Sequence, residues 1–219
     1  MLLPINGHMT HTERWIELIA HRAQSQCHEM LPLTSLDVLY SAGIKSFEVD
    51  VFSTDSRGVL VCHPDHDSSD NELTPLESII EWTESRDAIV YLDIKYPHRW
   101  KPPIWHSLPL FMELDKHKFF LISYDADIIK PIADVSGLIC GCIMNQYHPS
   151  VKYDLQLLPY DALLNLMEPR EQDTCDITIL TGVNSIKQIS RALAIGYNRF
   201  MTDNVEILHR YLQREKCSS

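Results

Sequence analysis

Glycine is scarce in this chain, seven in 219 residues. No glycine-rich turn follows the first apolar run, so the usual cradle for a dinucleotide's phosphates is missing. No apolar run approaches the roughly 20 residues that a bilayer span needs. Basic residues are outnumbered, 19 Lys and Arg against 30 Asp and Glu, for a net charge of −11. An acidic surface repels phosphate backbones, so a nucleic-acid partner is not expected. Six cysteines (Cys27, Cys62, Cys140, Cys142, Cys175 and Cys217) contain no CxxC pair. The spacing of a zinc site is therefore lacking, and they read as buried free thiols of a reducing compartment. The opening stretch, MLLPINGHMTHTERW, has neither a basic nor an apolar leader region. A secretory signal is not expected, residues 1–14 read as a flexible lead-in, and the expected compartment is the cytoplasm.

What is present is an ordinary globular composition, 45% hydrophobic and 22% charged. One domain over residues 1–219 accounts for it. Apolar runs of strand length alternate with segments of helical period. Strands are predicted over 15–20 (WIELIA), 46–52, 58–64 (GVLVCHP), 88–95, 118–125, 137–144, 176–181 and 197–202. Helices are predicted over 34–43, 73–85, 105–114, 125–135, 185–196 and 205–215. Thr34 or Ser35 would cap the first helix and Gly43 would stop it, and Thr74 precedes Pro75 at the start of the second. Between 147 and 176 no period stands out, although YDALLNL holds room for one more strand or helix. Seven or eight strands alternating with helices predict an α/β fold, a compact TIM-type (β/α)8 barrel. An open doubly wound sheet is the competing architecture.

The ionisable residues fall where such a barrel would use them. His21 and Arg22 follow the first strand, Glu48 and Asp50 interrupt the second, His63 ends the third, and Asp93 and Lys95 end the fourth. Positions two apart share a strand face, so Glu48 points with Asp50 and Asp93 with Lys95. A buried, unpaired carboxylate is costly on either face of a barrel strand. Singly, each has a structural explanation: a solvated histidine, an edge glutamate, an Asp–Lys ion pair. Seven polar groups on four consecutive runs, each toward a carboxyl end, point instead to a site. Three carboxylates supply hard oxygen ligands, which suit one divalent cation, Mg²⁺ or Ca²⁺, better than zinc. Arg22 and Lys95 suit phosphate oxygens. His21 and His63 can exchange protons near neutral pH. Together these groups suit displacement at a phosphodiester.

In this order and spacing, His21-Arg22-Ala23, Glu48-Val49-Asp50, His63 and Asp93-Ile94-Lys95 resemble the glycerophosphodiester phosphodiesterase family, whose pattern runs HRG, ExD, His, ExK. The tail GYNRFMTDNVEILHRYL is similar to the family's closing strand and helix. The resemblance implies a phosphoric diester hydrolase of lipid metabolism on a β/α barrel, acting on a small-molecule phosphodiester. By position it implies Glu48, Asp50 and Asp93 as metal ligands, His21 and His63 as the acid/base pair, and Arg22 and Lys95 as phosphate ligands. Three departures bear on the substrate. Ala23 stands for the usual glycine, Asp93 for glutamate, and no Glu-Asn-Thr follows the first histidine. A phospholipase D-like enzyme on lysophospholipid or sphingomyelin, or a non-catalytic phosphate-binding barrel, are the alternatives. The acidic run from Asp65 to Glu72 reads as a solvated turn, and Trp100 and Trp105 as mouth or core residues. A barrel amidohydrolase would want a His-x-His pair after the first strand, which is lacking.

Overall fold

The computed structural model describes residues 15–23, 32–54, 58–61, 74–95, 103–144, 154–161 and 176–218. In chain order the elements are β1 (Glu17–Ala20), α1 (Pro32–Ser41), β2 (Ser46–Thr54), β3 (Gly58–Val61), β4 (Thr74–Pro75), α2 (Leu76–Glu84), β5 (Ile89–Ile94), α3 (Pro103–Met112) and β6 (Phe119–Ser123). There follow α4 (Ala126–Ser136), β7 (Ile139–Ile143), β8 (Leu155–Pro159), β9 (Ile177–Thr181), α5 (Ile186–Ala194), β10 (Arg199–Thr202) and α6 (Val205–Ser218). The strands run in the order β1-β10-β9-β8-β7-β6-β5-β2, and β1 pairs with β2 to close the ring. Every pairing around that ring is parallel. This is the (β/α)8 barrel expected from the alternation of strands and helices.

Strand parity sorts the side chains. Leu18, Ala20, Phe47, Val49, Val51, Val90, Leu92 and Ile94 point outward and join one apolar cluster with the helices. Ile19, Tyr91, Ile122, Leu155, Leu157, Ile179 and Met201 point inward and form a second cluster that fills the barrel. Gly141 lets β7 approach its neighbour, since a Cβ there would lie 2.7 Å from the Leu155 carbonyl oxygen. The amino end is closed by a polar network. Glu17 accepts from the Ser46 hydroxyl at 2.7 Å and the Tyr91 hydroxyl at 3.1 Å, and pairs with Arg199 at 3.3 Å. Burial, and then the Glu17 charge, push the Tyr91 phenol well above its ordinary range. Among the described residues, this network lies at one end of a packed apolar centre.

Three local expectations are corrected. The run at 58–64 is not a stave of the barrel. β3 pairs antiparallel with β2, Thr54 opposite Gly58, and β4 pairs antiparallel with β3. Only residues 55–57 separate β2 from β3, far fewer than the dozen or more that a parallel crossover needs. The missing stave is β8, in the segment where no period was legible, and it lies just before YDALLNL. The first helix begins at Pro32, which places Thr34 and Ser35 inside it rather than at its cap. Ser35 instead donates its hydroxyl proton to the Ala23 carbonyl at 2.5 Å. Gly43 does stop this helix: its φ is +95°, and a Cβ there would press on the His209 ring of α6.

Candidate active site

All eight barrel strands deliver their carboxyl ends to one mouth, where β/α barrels build their sites. Asp50 of β2 sits in register with Asp93 of β5, and Glu48 lies one inward position below Asp50. Glu48, Asp50 and Asp93 are 1%, 0% and 4% exposed. One oxygen from each lies within 4.8 Å of the other two. Lys95, just past the end of β5, places Nζ 2.7 Å from Asp50 Oδ1 and 2.5 Å from Asp93 Oδ2. The Arg22 guanidinium Nε is 3.6 Å from Asp50 Oδ2. The Arg22 backbone N–H donates to Glu48 Oε2 at 2.6 Å. That N–H reaches the mouth because Arg22 has a φ of +48°. A non-glycine residue in this left-handed region costs about 1–2 kcal/mol. The strain is met by the hydrogen bond to Glu48 and by the Arg22–Asp50 pair, so it belongs to the construction of the site.

The electrostatics are those of an acidic cluster built for a cation. Burial, with Asp50 and Asp93 beside it, raises the Glu48 carboxyl well above its ordinary range. Burial also raises Asp93, against the pull of Lys95. Burial opposes the charge on Lys95, but Asp93, Asp50 and Glu48 more than reverse that, and its ammonium is held charged. Glu48 Oε1 and Asp93 Oδ1 are buried without a hydrogen-bond donor. Buried acceptors of this kind are normally satisfied, and the exceptions call for an explanation. An all-oxygen donor set with two unsatisfied buried oxygens fits a hard dication such as Mg²⁺ or Ca²⁺. The charges agree. With a dication holding all three carboxylates ionised, the trio, Lys95, Arg22 and the cation would sum to one positive charge facing an incoming monoanion.

His21 continues β1 into the mouth, its backbone N–H bonding the Thr202 carbonyl of β10 at 3.0 Å. Its ring Nε2 lies 4.0 Å from Glu48 Oε2. Its Nδ1 lies 2.6 Å from Asp203 Oδ1. Burial disfavours the Asp203 carboxylate, but hydrogen bonds from His21 and Asn184 outweigh it and hold the carboxyl below its ordinary range. An ionised carboxylate only accepts, so Nδ1 carries the hydrogen and Nε2 faces the carboxylate cluster. Asp203 is not among the residues that the strand-end pattern singles out. The signal for it was there: a closed barrel makes its first and last strands neighbours, and Ala20 pairs with Thr202. The residue after each, His21 and Asp203, must then meet.

The structure thus gathers six of the seven expected residues, His21, Arg22, Glu48, Asp50, Asp93 and Lys95, around one point. His63 lies outside the described residues, as do Asp65 to Glu72 and Trp100. The extra methyl of Ala23 is fully buried in the outer apolar cluster rather than pointing into the mouth.

Fold and site define a class first: a (β/α)8 barrel whose mouth holds a buried carboxylate trio flanked by a histidine and two cations. No family model matches the sequence, and no curated protein matches it. Solved structures do match in shape. The glycerophosphodiester phosphodiesterase of Parabacteroides distasonis superposes with a TM-score of 0.71 at 14% identity, over 91% of this chain and 98% of that one. The glycerophosphodiester phosphodiesterase of Thermotoga maritima gives 0.68 at 16% identity, over 91% of this chain and 99% of that one. A phosphodiesterase of Oleispira antarctica, solved with the product sn-glycerol-3-phosphate, gives 0.66 at 12% identity, over 90% and 96%. The resemblance read from the motifs is thus borne out in the fold, which this chain shares over 90–91% of its length.

Proposed function

We propose that this chain is a metal-dependent phosphodiesterase that hydrolyses glycerophosphodiesters to an alcohol and glycerol 3-phosphate. The observation that carries the reading is the cluster of Glu48, Asp50 and Asp93, buried with oxygens within 4.8 Å of one another and bordered by Lys95, Arg22 and His21. The likeness in fold to glycerophosphodiester phosphodiesterases, one of them solved with sn-glycerol-3-phosphate, supports the substrate class.

In this reading Glu48, Asp50 and Asp93 hold one divalent cation, Mg²⁺ or Ca²⁺. When bound, the cation draws charge from the phosphoryl oxygens and offsets the charge that develops on them. Arg22 and Lys95 both border Asp50 and bind the non-bridging oxygens, orienting the phosphorus for attack. His21 exchanges the proton through Nε2, since Nδ1 is committed to Asp203. His63 is the second proton carrier of the pair. One imidazole removes the proton of the attacking hydroxyl, from water or from the substrate itself, as the new P–O bond forms. The other protonates the departing alkoxide as the old P–O bond breaks; where the substrate's own hydroxyl attacked, water then opens the cyclic phosphate in a second step with the two imidazoles exchanging roles. Asp203 stabilises the imidazolium that forms on His21 in between. The oriented imidazole favours an enzyme over a non-catalytic phosphate-binding barrel, because a pocket that only holds phosphate needs no directed proton carrier. Cys140 is a buried free thiol, in keeping with action in the cytoplasm.

The test is release of the head-group alcohol, such as choline, from a panel of glycerophosphodiesters and lysolipids, with Mg²⁺, with Ca²⁺ and with chelator; the co-product is glycerol 3-phosphate from the former and a lysophosphatidate from the latter. Release that needs a divalent cation supports the reading. Release only from lysolipids moves the substrate class, and no release under any condition removes the function.

A further inference from the structure

Asn184 follows β9 at the mouth and takes no part in the chemistry proposed above, yet its polar atoms are engaged on every side. Its side-chain amide nitrogen donates to Asp203 Oδ2 at 2.8 Å. Its side-chain oxygen accepts from the Thr202 hydroxyl at 2.9 Å and from the Asp203 backbone N–H at 3.0 Å. Its backbone carbonyl accepts from the Asn204 side chain at 3.0 Å. Its backbone N–H donates to Gln188 Oε1 at 2.8 Å, in the first turn of α5. Ser185 caps that helix, with its hydroxyl 3.3 Å from the Gln188 N–H and 3.0 Å from Gln188 Oε1. The sequence N-S-x-x-Q thus fixes Asn184 to a helix end before Asn184 fixes anything else.

The two oxygens of Asp203 are divided: Oδ1 faces His21 and Oδ2 faces Asn184. A carboxylate held at one oxygen only can rotate about its Cβ–Cγ bond and swing the other away from the ring. Held at both, it has one orientation, and the imidazole has one tautomer. We propose that Asn184 is a positioning residue of the phosphodiesterase reaction, acting through Asp203 to keep the hydrogen of His21 on Nδ1 and leave Nε2 facing the phosphate site. The role rests on the proposed function for its consequence in rate, but the tautomer it fixes can be observed without turnover.

Asn184 has two jobs that one substitution separates. Asn184→Asp keeps an oxygen to tie Thr202 and the Asp203 backbone, and replaces the donor to Asp203 Oδ2 with a repelling oxygen. Asn184→Ala removes both. In ¹H–¹⁵N spectra of imidazole-labelled protein, the wild type is expected to show a strongly downfield Nδ1–H resonance that His21→Ala removes. Asn184→Asp is expected to lose or broaden it while keeping the wild-type fold by circular dichroism. Its kcat should fall about 10- to 100-fold, the range for partners one step beyond a working group, with KM little changed. In an Asp203→Asn background the same substitution should add almost nothing, because the pathway through Asp203 is already cut. Thermal unfolding of Asn184→Ala reports the tie between the loops separately. An Asn184→Asp protein with the wild-type resonance and kcat overturns the proposal, and so does a full, additive loss in the Asp203→Asn background. Absence of turnover in the wild type would strike the proposed function, and the resonance would still decide the role of Asn184.

Discussion

Glu48→Gln gives the sharpest separation of stability from metal binding. In the wild type without a cation, Glu48 Oε1 and Asp93 Oδ1 are both buried and lack a donor. A buried unsatisfied acceptor costs about 1–3 kcal/mol. Gln keeps an oxygen for the Arg22 N–H, brings an amide donor within reach of the neighbouring carboxylates, and removes one of three mutually repelling charges. Without divalent cation the variant should therefore be more stable than the wild type by about 1–3 kcal/mol, or roughly 2–12 °C in Tm for a domain of this size. With cation the order should reverse. At a hundredfold excess over Kd the wild type gains about 2.7 kcal/mol, and the variant, one charged ligand short, gains far less. The pH dependence has a definite sign. Glu48 has a raised carboxyl pKa in the folded state, so its favourable protonated form is fully kept below its ordinary value of 4.5 and lost as pH rises through the folded value. The gap between variant and wild type without cation should accordingly vanish in acid and widen as pH rises through the folded value of Glu48. Calorimetry across pH, with chelator and with Mg²⁺ or Ca²⁺, reads both. A variant less stable than the wild type in chelator at every pH, or one with the full cation-induced shift, refutes the reasoning.

Other outcomes follow from the same geometry. His21→Ala should lower kcat about 10²–10⁴-fold, the usual worth of general acid–base catalysis, with unfolding unchanged; wild-type activity in this variant removes His21 from the chemistry. Lys95→Ala strips Asp50 and Asp93 of their nearest cation and should cost about 3–5 kcal/mol in chelator, with much of the loss recovered when a divalent cation is added. Calorimetry that shows no such recovery would mean that the carboxylates do not share an ion. Arg199→Ala, at the opposite end of the barrel, should cost about 1–3 kcal/mol by breaking the Glu17 network and leave the cation-induced shift intact. A lost shift there would show that the two ends are not independent.

The sequence made the charged half of the mouth legible because strand parity is strict. Glu48 and Asp50, two apart on one strand, cannot face opposite ways, and an acidic pair inside an apolar run has to be accounted for. β8 was not legible because LQLLP is buried on both sides, so no alternation marks it. β3 resembles a stave in sequence because GVLV is as apolar as the barrel strands. Only the short gap behind β2, too small for a crossover helix, distinguishes it. The capping residues of α1 were misplaced because Pro32 starts the helix two residues before the nearest Thr, and Ser35 bonds a distant carbonyl instead of a helical N–H. Asp203 and Asn184 needed the closure of the ring: 182 residues separate His21 from Asp203 in sequence, and only the β1–β10 pairing brings them together.

The proposed chemistry needs three carboxylates that share one ion opposite a phosphate. Anomalous diffraction from crystals soaked in Mn²⁺ with glycerol 3-phosphate measures that directly. One peak is expected at ordinary metal–oxygen distance, about 2.0–2.6 Å, from oxygens of Glu48, Asp50 and Asp93, with phosphate density between it and the side chains of Arg22 and Lys95. A map with no peak among those three carboxylates, or with the phosphate bound elsewhere on the barrel, contradicts it.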